Sequence, residues 1–287
     1  MTILLSIVAL TLITLLLATL LVLARRFLLV NDDPRIDEVE ELLPHVNCGA
    51  CGYPGCRAFA EALVGNKAQP VACTVSNAAA HSAIANFLGI AVGSQEKRVA
   101  RLACAGGNNV AHNDAVYTGV QSCRAAATVN GGGKACQWGC LGFGDCAQAC
   151  TFSAITMNGN DLPVVDEAKC TACGDCVRAC PKDLFSIHPV SHQLWVACQN
   201  QEMGDSVLAE CEVACTACGR CALDAPNMIS MKNNLPVINY LIPGQRHETT
   251  ARCPTGAIVW IEKDGKTIKG AAAKTIVRTA PLARIAS

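Results

Sequence analysis

The sequence predicts an α+β protein of small modules behind one membrane-spanning helix, and three observations predict it. Residues 2–24, TILLSIVALTLITLLLATLLVLA, carry no charge. The 287-residue chain has 20 cysteines but only 4% aromatic residues, so large core-fillers are scarce and something besides side-chain packing must hold its modules together. The second half repeats itself, and short β-prone runs flank each copy of its cysteine cluster.

As a helix, the apolar run rises roughly 34 Å, slightly more than a hydrocarbon core. A cleaved signal peptide would show a basic segment before a shorter apolar stretch, and neither is found here. Arg25 and Arg26 follow the run, so the positive-inside rule places the remaining chain in the cytoplasm. In that reducing compartment closely spaced cysteines read as metal ligands or redox groups before disulfides. The span has no ionisable residue, which argues against an ion path through this chain. With 23 basic and 23 acidic residues the net charge is zero, so no nucleic-acid partner is expected.

The anchor is expected to occupy residues 1–26. A short helix follows in NDDPRIDEVEELLPHV, where Asp32 or Asp33 can cap, Pro34 suits the first turn, and Ile36, Val39 and Leu43 recur at helical spacing. With CGACGYPGC and two alanine-rich stretches it forms a small, mainly helical module over residues 30–92, organised around Cys48, Cys51, Cys56 and Cys73. Residues 93–135 read as a connecting segment. Their NGGGK run lacks the first Gly and the Ser/Thr of a phosphate loop, so it reads as a turn.

From residue 136 the repeat sets the boundaries. CQWGCLGFGDCAQAC at 136–150 aligns with CEVACTACGRCALDA at 211–225, and ACPKDLFSI at 179–187 with RCPTGAIVWI at 252–261. Units are expected at 136–190 and 191–262, each with a strand hairpin and short helices. The Ala-rich residues 263–287 read as a mobile tail.

Residues 170–181, CTACGDCVRACP, decide the chemistry. A C-x2-C-x2-C-x3-C-P run wraps three thiolates around one iron–sulfur cube and sends the fourth to a second cube, as in two-cluster bacterial ferredoxins. Structural zinc sites typically separate paired cysteines by a longer loop. Applied to residues 136–180, the rule gives one [4Fe-4S] cluster on Cys136, Cys140, Cys146 and Cys180 and another on Cys150, Cys170, Cys173 and Cys176. The first set is irregular: Phe143 stands where the middle cysteine belongs, Cys136 is taken as its substitute, and Thr151 replaces the proline. In the second copy Ala225 replaces the exported cysteine and only Cys253 remains of the returning quartet. Cys215, Cys218, Cys221 and Cys253 are therefore left for one cluster. With the N-terminal set, four [4Fe-4S] clusters are expected behind the anchor, in a helical iron–sulfur module and tandem ferredoxin-like units.

Cys104, Cys123, Cys198 and Cys211 stay open between a fifth cluster and ordinary buried small residues. The six histidines show no metal-binding pairing, although His45 stands close enough to Cys48 to tune or ligate a cluster. Lys169, Arg178 and Lys182 surround the regular motif, either as a face for an acidic electron donor or as a solvated surface. No nucleophile–base constellation is found, so no catalytic residue is assigned.

The apolar helix, LLPHVNCGACGYPGC, Cys73, ACQWGCLGFGDC and the regular quartet, in this order, resemble the RnfB family in its longer form. That resemblance implies an electron-transfer subunit, without bond chemistry of its own, in a ferredoxin:NAD oxidoreductase that translocates Na+ or H+. It further implies reduced ferredoxin as electron donor, integral membrane and flavin-bearing partner subunits, and a single-pass position in a bacterial or archaeal cytoplasmic membrane with the cluster domains on the cytoplasmic side. A membrane-anchored polyferredoxin of another dehydrogenase and a structural metal protein are the alternatives.

Overall fold

The computed structural model describes residues 1–28 and 33–282. Helix α1 (Thr2–Leu28) contains a stretch, Leu4–Ala24, with mean hydropathy 2.8 and no burial against the rest of the protein. It is long and apolar enough to cross a membrane. Thr11 and Thr19 donate their hydroxyls to carbonyls one turn back, at 2.8 to 3.0 Å, so their polar atoms are satisfied within the helix. Asp32 and the side chains of Arg25 and Arg26, on which the sidedness expectation rests, lie outside the described residues.

The N-terminal module packs α2 (Arg35–Glu41), α3 (Cys56–Val64) and α4 (Ala78–Leu88). Asp33 accepts the Arg35 backbone N–H at 3.0 Å, a capping role for a free helix-start donor. The predicted stripe is the buried one: Ile36, Val39 and Leu43 meet Phe59, Leu63 and Ile84, with Cys73 in the same cluster. The Asn77 side chain accepts the Ala80 N–H at 2.8 Å at the start of α4, and left-handed Gly89 ends it.

Two units built to one plan follow. In the first, β1 (Arg98–Leu102) opens the unit, and α5 (Cys123–Ala127) and α6 (Asp145–Gln148) precede a hairpin of β2 (Ile155–Met157) and β3 (Pro163–Val165). Helix α7 (Asp175–Ala179) then leads to β4 (Phe185–Pro189), which returns antiparallel to β1. In the second, β5 (Leu194–Val196) is followed by α8 (Arg220–Asp224) and the hairpin of β6 (Ile229–Lys232) and β7 (Leu235–Ile238). A single 3-10 turn, His247–Thr250, replaces the second helix before β8 (Ile258–Ile261) returns to β5. Strand β9 (Thr267–Lys269) adds to the edge of β8.

Two expectations about connecting chain are corrected. Residues 93–135 are not a mere connector, because β1 lies within them and pairs along its whole length with β4. The strand was hidden by Arg98 and Arg101 in RVARL, which break an apolar alternation. Arg101 is buried nonetheless, 6% exposed, and ion-paired with Glu167. The described part of the tail is likewise docked: Ala272 N–H donates to the Ala251 carbonyl at 2.9 Å, Leu282 N–H to that of Asn108 at 2.8 Å, and Arg278 pairs with Glu212 at 2.6 Å. Ile276 adds an apolar contact to the Val110, Val207 and Val213 cluster, so backbone bonds and one well-placed isoleucine fix a segment whose composition alone reads as loose.

Candidate metal centres

The thiols gather where the chain turns tightly around them. Cys170-Thr-Ala-Cys173 and Cys215-Thr-Ala-Cys218 are matching loops, and each places its alanine, Ala172 (φ 58°) and Ala217 (φ 57°), in the left-handed region. That conformation costs an alanine roughly 1–2 kcal/mol, and its use twice at equivalent positions points to a common purpose. Left-handed Gly144, Gly174 and Gly219 then start α6, α7 and α8, turning Cys146, Cys176 and Cys221 inward.

Four cavities of nearly equal size result. Cys150, Cys170, Cys173 and Cys176 line about 310 Å³ of space, and Cys215, Cys218, Cys221 and Cys253 about 360 Å³. These two sets are grouped as the spacing predicts. The third cavity, about 370 Å³, is lined by Cys123, Cys140, Cys146 and Cys180. The fourth, about 330 Å³, is lined by Cys104, Cys136, Cys198 and Cys211. The grouping of Cys136 with Cys140, Cys146 and Cys180, and of Cys123 with the scattered cysteines, is thereby corrected: Cys136 and Cys123 exchange places.

The physical reason lies in α5. Phe143 leaves the middle thiol of its loop missing, and α5 brings Cys123 to the same cavity. Asp145 ties it there, accepting the Cys123 N–H at 2.8 Å, the Arg124 N–H at 3.0 Å and the Ser122 hydroxyl at 2.9 Å. Burial alone would raise the Asp145 carboxyl, but these donors outweigh it and hold it below the ordinary carboxylate value. The repeat carried a signal for the exchange, since it aligns Cys136 with Cys211, which stands outside its own triplet.

In the N-terminal module Cys51 and Cys56 pack against the cluster that buries Cys73. Burial, with the Cys73 and Cys48 thiols nearby, raises Cys51 above its ordinary value. Ser76 Oγ donates to Cys73 Sγ at 3.2 Å. His45 has a left-handed backbone, φ 54°, which accounts for its place in the turn before Cys48.

The donor chemistry fits iron–sulfur clusters. Burial, reinforced by Cys170, Cys173, Cys146 and Cys150, pushes Cys176 up to about 12. Burial followed by Cys104 does the same to Cys140, and burial followed by Cys123 and Cys180 to Cys146. Thiols so placed ionise together only around positive charge, which is what metal supplies. Backbone N–H groups already point at the sulfurs: Ala154 at Cys150 (3.3 Å), Ala100 at Cys170 (3.4 Å) and Leu184 at Cys180 (3.5 Å). Such bonds favour the thiolate and tune a cluster held by it. Among the described residues no three Cys, His, Asp or Glu side chains converge closely enough for a single metal ion, so the larger cube suits these sites better than zinc.

The surroundings narrow other expectations. Lys169 and Arg178 are paired with Asp166 and Asp175, and Lys182 donates to the Gln137 carbonyl at 2.8 Å, so these three residues do not form a free basic face at the regular motif. A groove lined by Glu96, Lys97, Asp166, Glu167, Lys263 and Lys266 holds no thiol.

Comparison with known proteins agrees with the site. Residues 43–75, which contain all four N-terminal cysteines, match the family described as "Putative Fe-S cluster", and residues 162–185 match "4Fe-4S binding domain". The RnfB protein of the Na(+)-translocating ferredoxin:NAD(+) oxidoreductase complex of Acetobacterium woodii is 40% identical over 239 residues, 83% of this chain and 72% of the relative. The chain belongs to the RnfB family. Two further members are similar over most of their length. The corresponding protein of the Proton-translocating ferredoxin:NAD(+) oxidoreductase complex of Clostridium ljungdahlii is 39% identical over 90% of this chain and 92% of its own. That of the Ion-translocating oxidoreductase complex of Methanosarcina acetivorans is 37% identical over 68% and 74%. As an RnfB family member the chain is an iron–sulfur electron-transfer subunit of a membrane-associated, ion-translocating oxidoreductase complex.

Proposed function

We propose that the chain takes electrons from reduced ferredoxin and passes them, through flavin-bearing integral membrane partners, toward NAD in a complex that moves Na+ or H+. Helix α1 is its single-pass anchor, and the thiol-bearing modules face the cytoplasm. The two units are ferredoxin-like, a reading supported by their shared order of strand, helix, hairpin and returning strand. Cys48, Cys51, Cys56 and Cys73 would hold one [4Fe-4S] cluster, Cys123, Cys140, Cys146 and Cys180 a second, Cys150, Cys170, Cys173 and Cys176 a third, and Cys215, Cys218, Cys221 and Cys253 a fourth. Each cluster supplies one-electron redox chemistry when bound. In the second unit Ala225 lies with Met228, Ile229 and Ile238 in an apolar core, which supports the loss of a cluster there.

The observation that carries the proposal is the contact between successive sets. Thr74, next to Cys73, donates its hydroxyl to the carbonyl of Thr171, next to Cys170, at 2.5 Å. The Cys176 thiol feels that of Cys146 across α6 and α7. The chain's own part is to hold thiolates in adjoining, mostly buried pockets, aim N–H donors at them and limit the access of water. In membrane vesicles holding the whole complex, Cys173→Ser is expected to abolish ferredoxin-driven NAD reduction while the partner subunits stay assembled. Undiminished NAD reduction would refute the assignment.

A further inference from the structure

The fourth cavity lies on the seam between the two units, and its lining obeys their internal symmetry. Cys104 stands two residues beyond the end of β1, and Cys198 two beyond the end of β5. Cys136 stands four residues before Cys140, and Cys211 four before Cys215. The bonding repeats as well. Cys104 Sγ accepts the N–H groups of Gly106 and Cys140, each at 3.4 Å, and Cys198 Sγ accepts those of Asn200 and Cys215, again each at 3.4 Å. Each unit therefore contributes two thiols by the same construction.

The seam around them is closed. The Ala105 N–H donates to the Ala197 carbonyl at 3.0 Å, His112 to Glu210 at 2.8 Å and Glu212 to Val110 at 2.9 Å. Asn200, 1% exposed, directs Nδ2 at Cys136 Sγ at 3.8 Å. Three features separate this from a chance gathering of buried small residues. The cavity, about 330 Å³, matches the other cysteine-lined ones, at about 310, 360 and 370 Å³. The sulfurs accept backbone N–H groups, as ligand sulfurs do. The thiols do not converge on a single-ion site, so an iron–sulfur cube suits them where zinc does not.

We propose that Cys104, Cys136, Cys198 and Cys211 hold a further [4Fe-4S] cluster, shared equally by the two units. The proposal rests on the reading that the other sets hold such clusters. It also gives the seam a purpose, because the backbone of Cys140 in the first unit and of Cys215 in the second each bond to a seam sulfur. The seam cluster would bridge the two units into one row.

The test is anaerobic native mass spectrometry of the full chain with iron and acid-labile sulfide analysis. Five [4Fe-4S] masses and about twenty irons are expected. Four masses, or about sixteen irons with one zinc, overturn the seam cluster alone. A chain without iron–sulfur mass overturns the underlying reading and the proposal with it. The double variant Cys104→Ala, Cys198→Ala is expected to lose about four irons and keep the rest; a full iron count in it also overturns the proposal. If that variant does not fold, the wild-type mass decides.

Discussion

The backbone N–H of Cys123 donates to Oδ1 of Asp145 at 2.8 Å, and this bond explains how a cysteine far from the motif reaches its cavity. Asp145 precedes Cys146, so one carboxylate joins two thiols of the same set. Asp145→Ala removes three charge-assisted bonds and is expected to free α5. Hydrogen bonds to charged groups contribute about 1.5–3 kcal/mol each. The variant should lose about four irons per chain, measured by iron analysis, and lower the unfolding midpoint.

Thr74 and Thr171 join the N-terminal module to the first unit. Thr74→Val is expected to cost about 1 kcal/mol of docking without changing the iron content. Hydrogen exchange checks it: backbone amides near residues 70–76 and 168–172 should exchange faster, while those of β6 and β7 stay unchanged.

Arg101 and Glu167 form a buried pair, 7% and 17% exposed at the side chain. Glu167→Ala leaves the guanidinium buried and unpaired, and breaking such a pair costs about 3–5 kcal/mol. Denaturant titration should show a lower midpoint with an unchanged slope.

His188 stands edge-on to Trp195, 4.8 Å between ring centres, while His192 stacks on Tyr240 at 3.6 Å. Burial, then the nearby His192, Arg101 and Arg98, lowers His188 to about 4. The folded state therefore binds fewer protons than the unfolded one between about pH 4 and 6.5. The stability due to neutral His188 is present above that window and is lost as pH falls through it. The thermal midpoint of wild type relative to His188→Gln is thus expected to fall from pH 7 to pH 5; a constant difference would show that His188 does not titrate there.

The helical stripe of Ile36, Val39 and Leu43, the regular quartet and the reduced second copy were legible because local spacing determines each of them. The exchange of Cys136 for Cys123 was not. Phe143 announces a missing ligand, but only the fold shows which distant thiol replaces it. The alignment of Cys136 with Cys211 held the needed clue, since equivalent residues of a repeat occupy equivalent places. Strand β1 escaped notice because Arg101 is buried through its ion pair, and the tail because its anchors are backbone bonds and one isoleucine. Each is a tertiary contact that no local pattern encodes.

The central claim, that these thiols hold clusters which ferredoxin reduces, is tested most directly by electron paramagnetic resonance of the anaerobic chain before and after adding reduced ferredoxin. The account predicts iron and sulfide in equal amounts, a brown chain that bleaches, and new reduced-cluster signals broadened by neighbouring spins. Zinc without sulfide, or clusters that ferredoxin leaves oxidised, would contradict it.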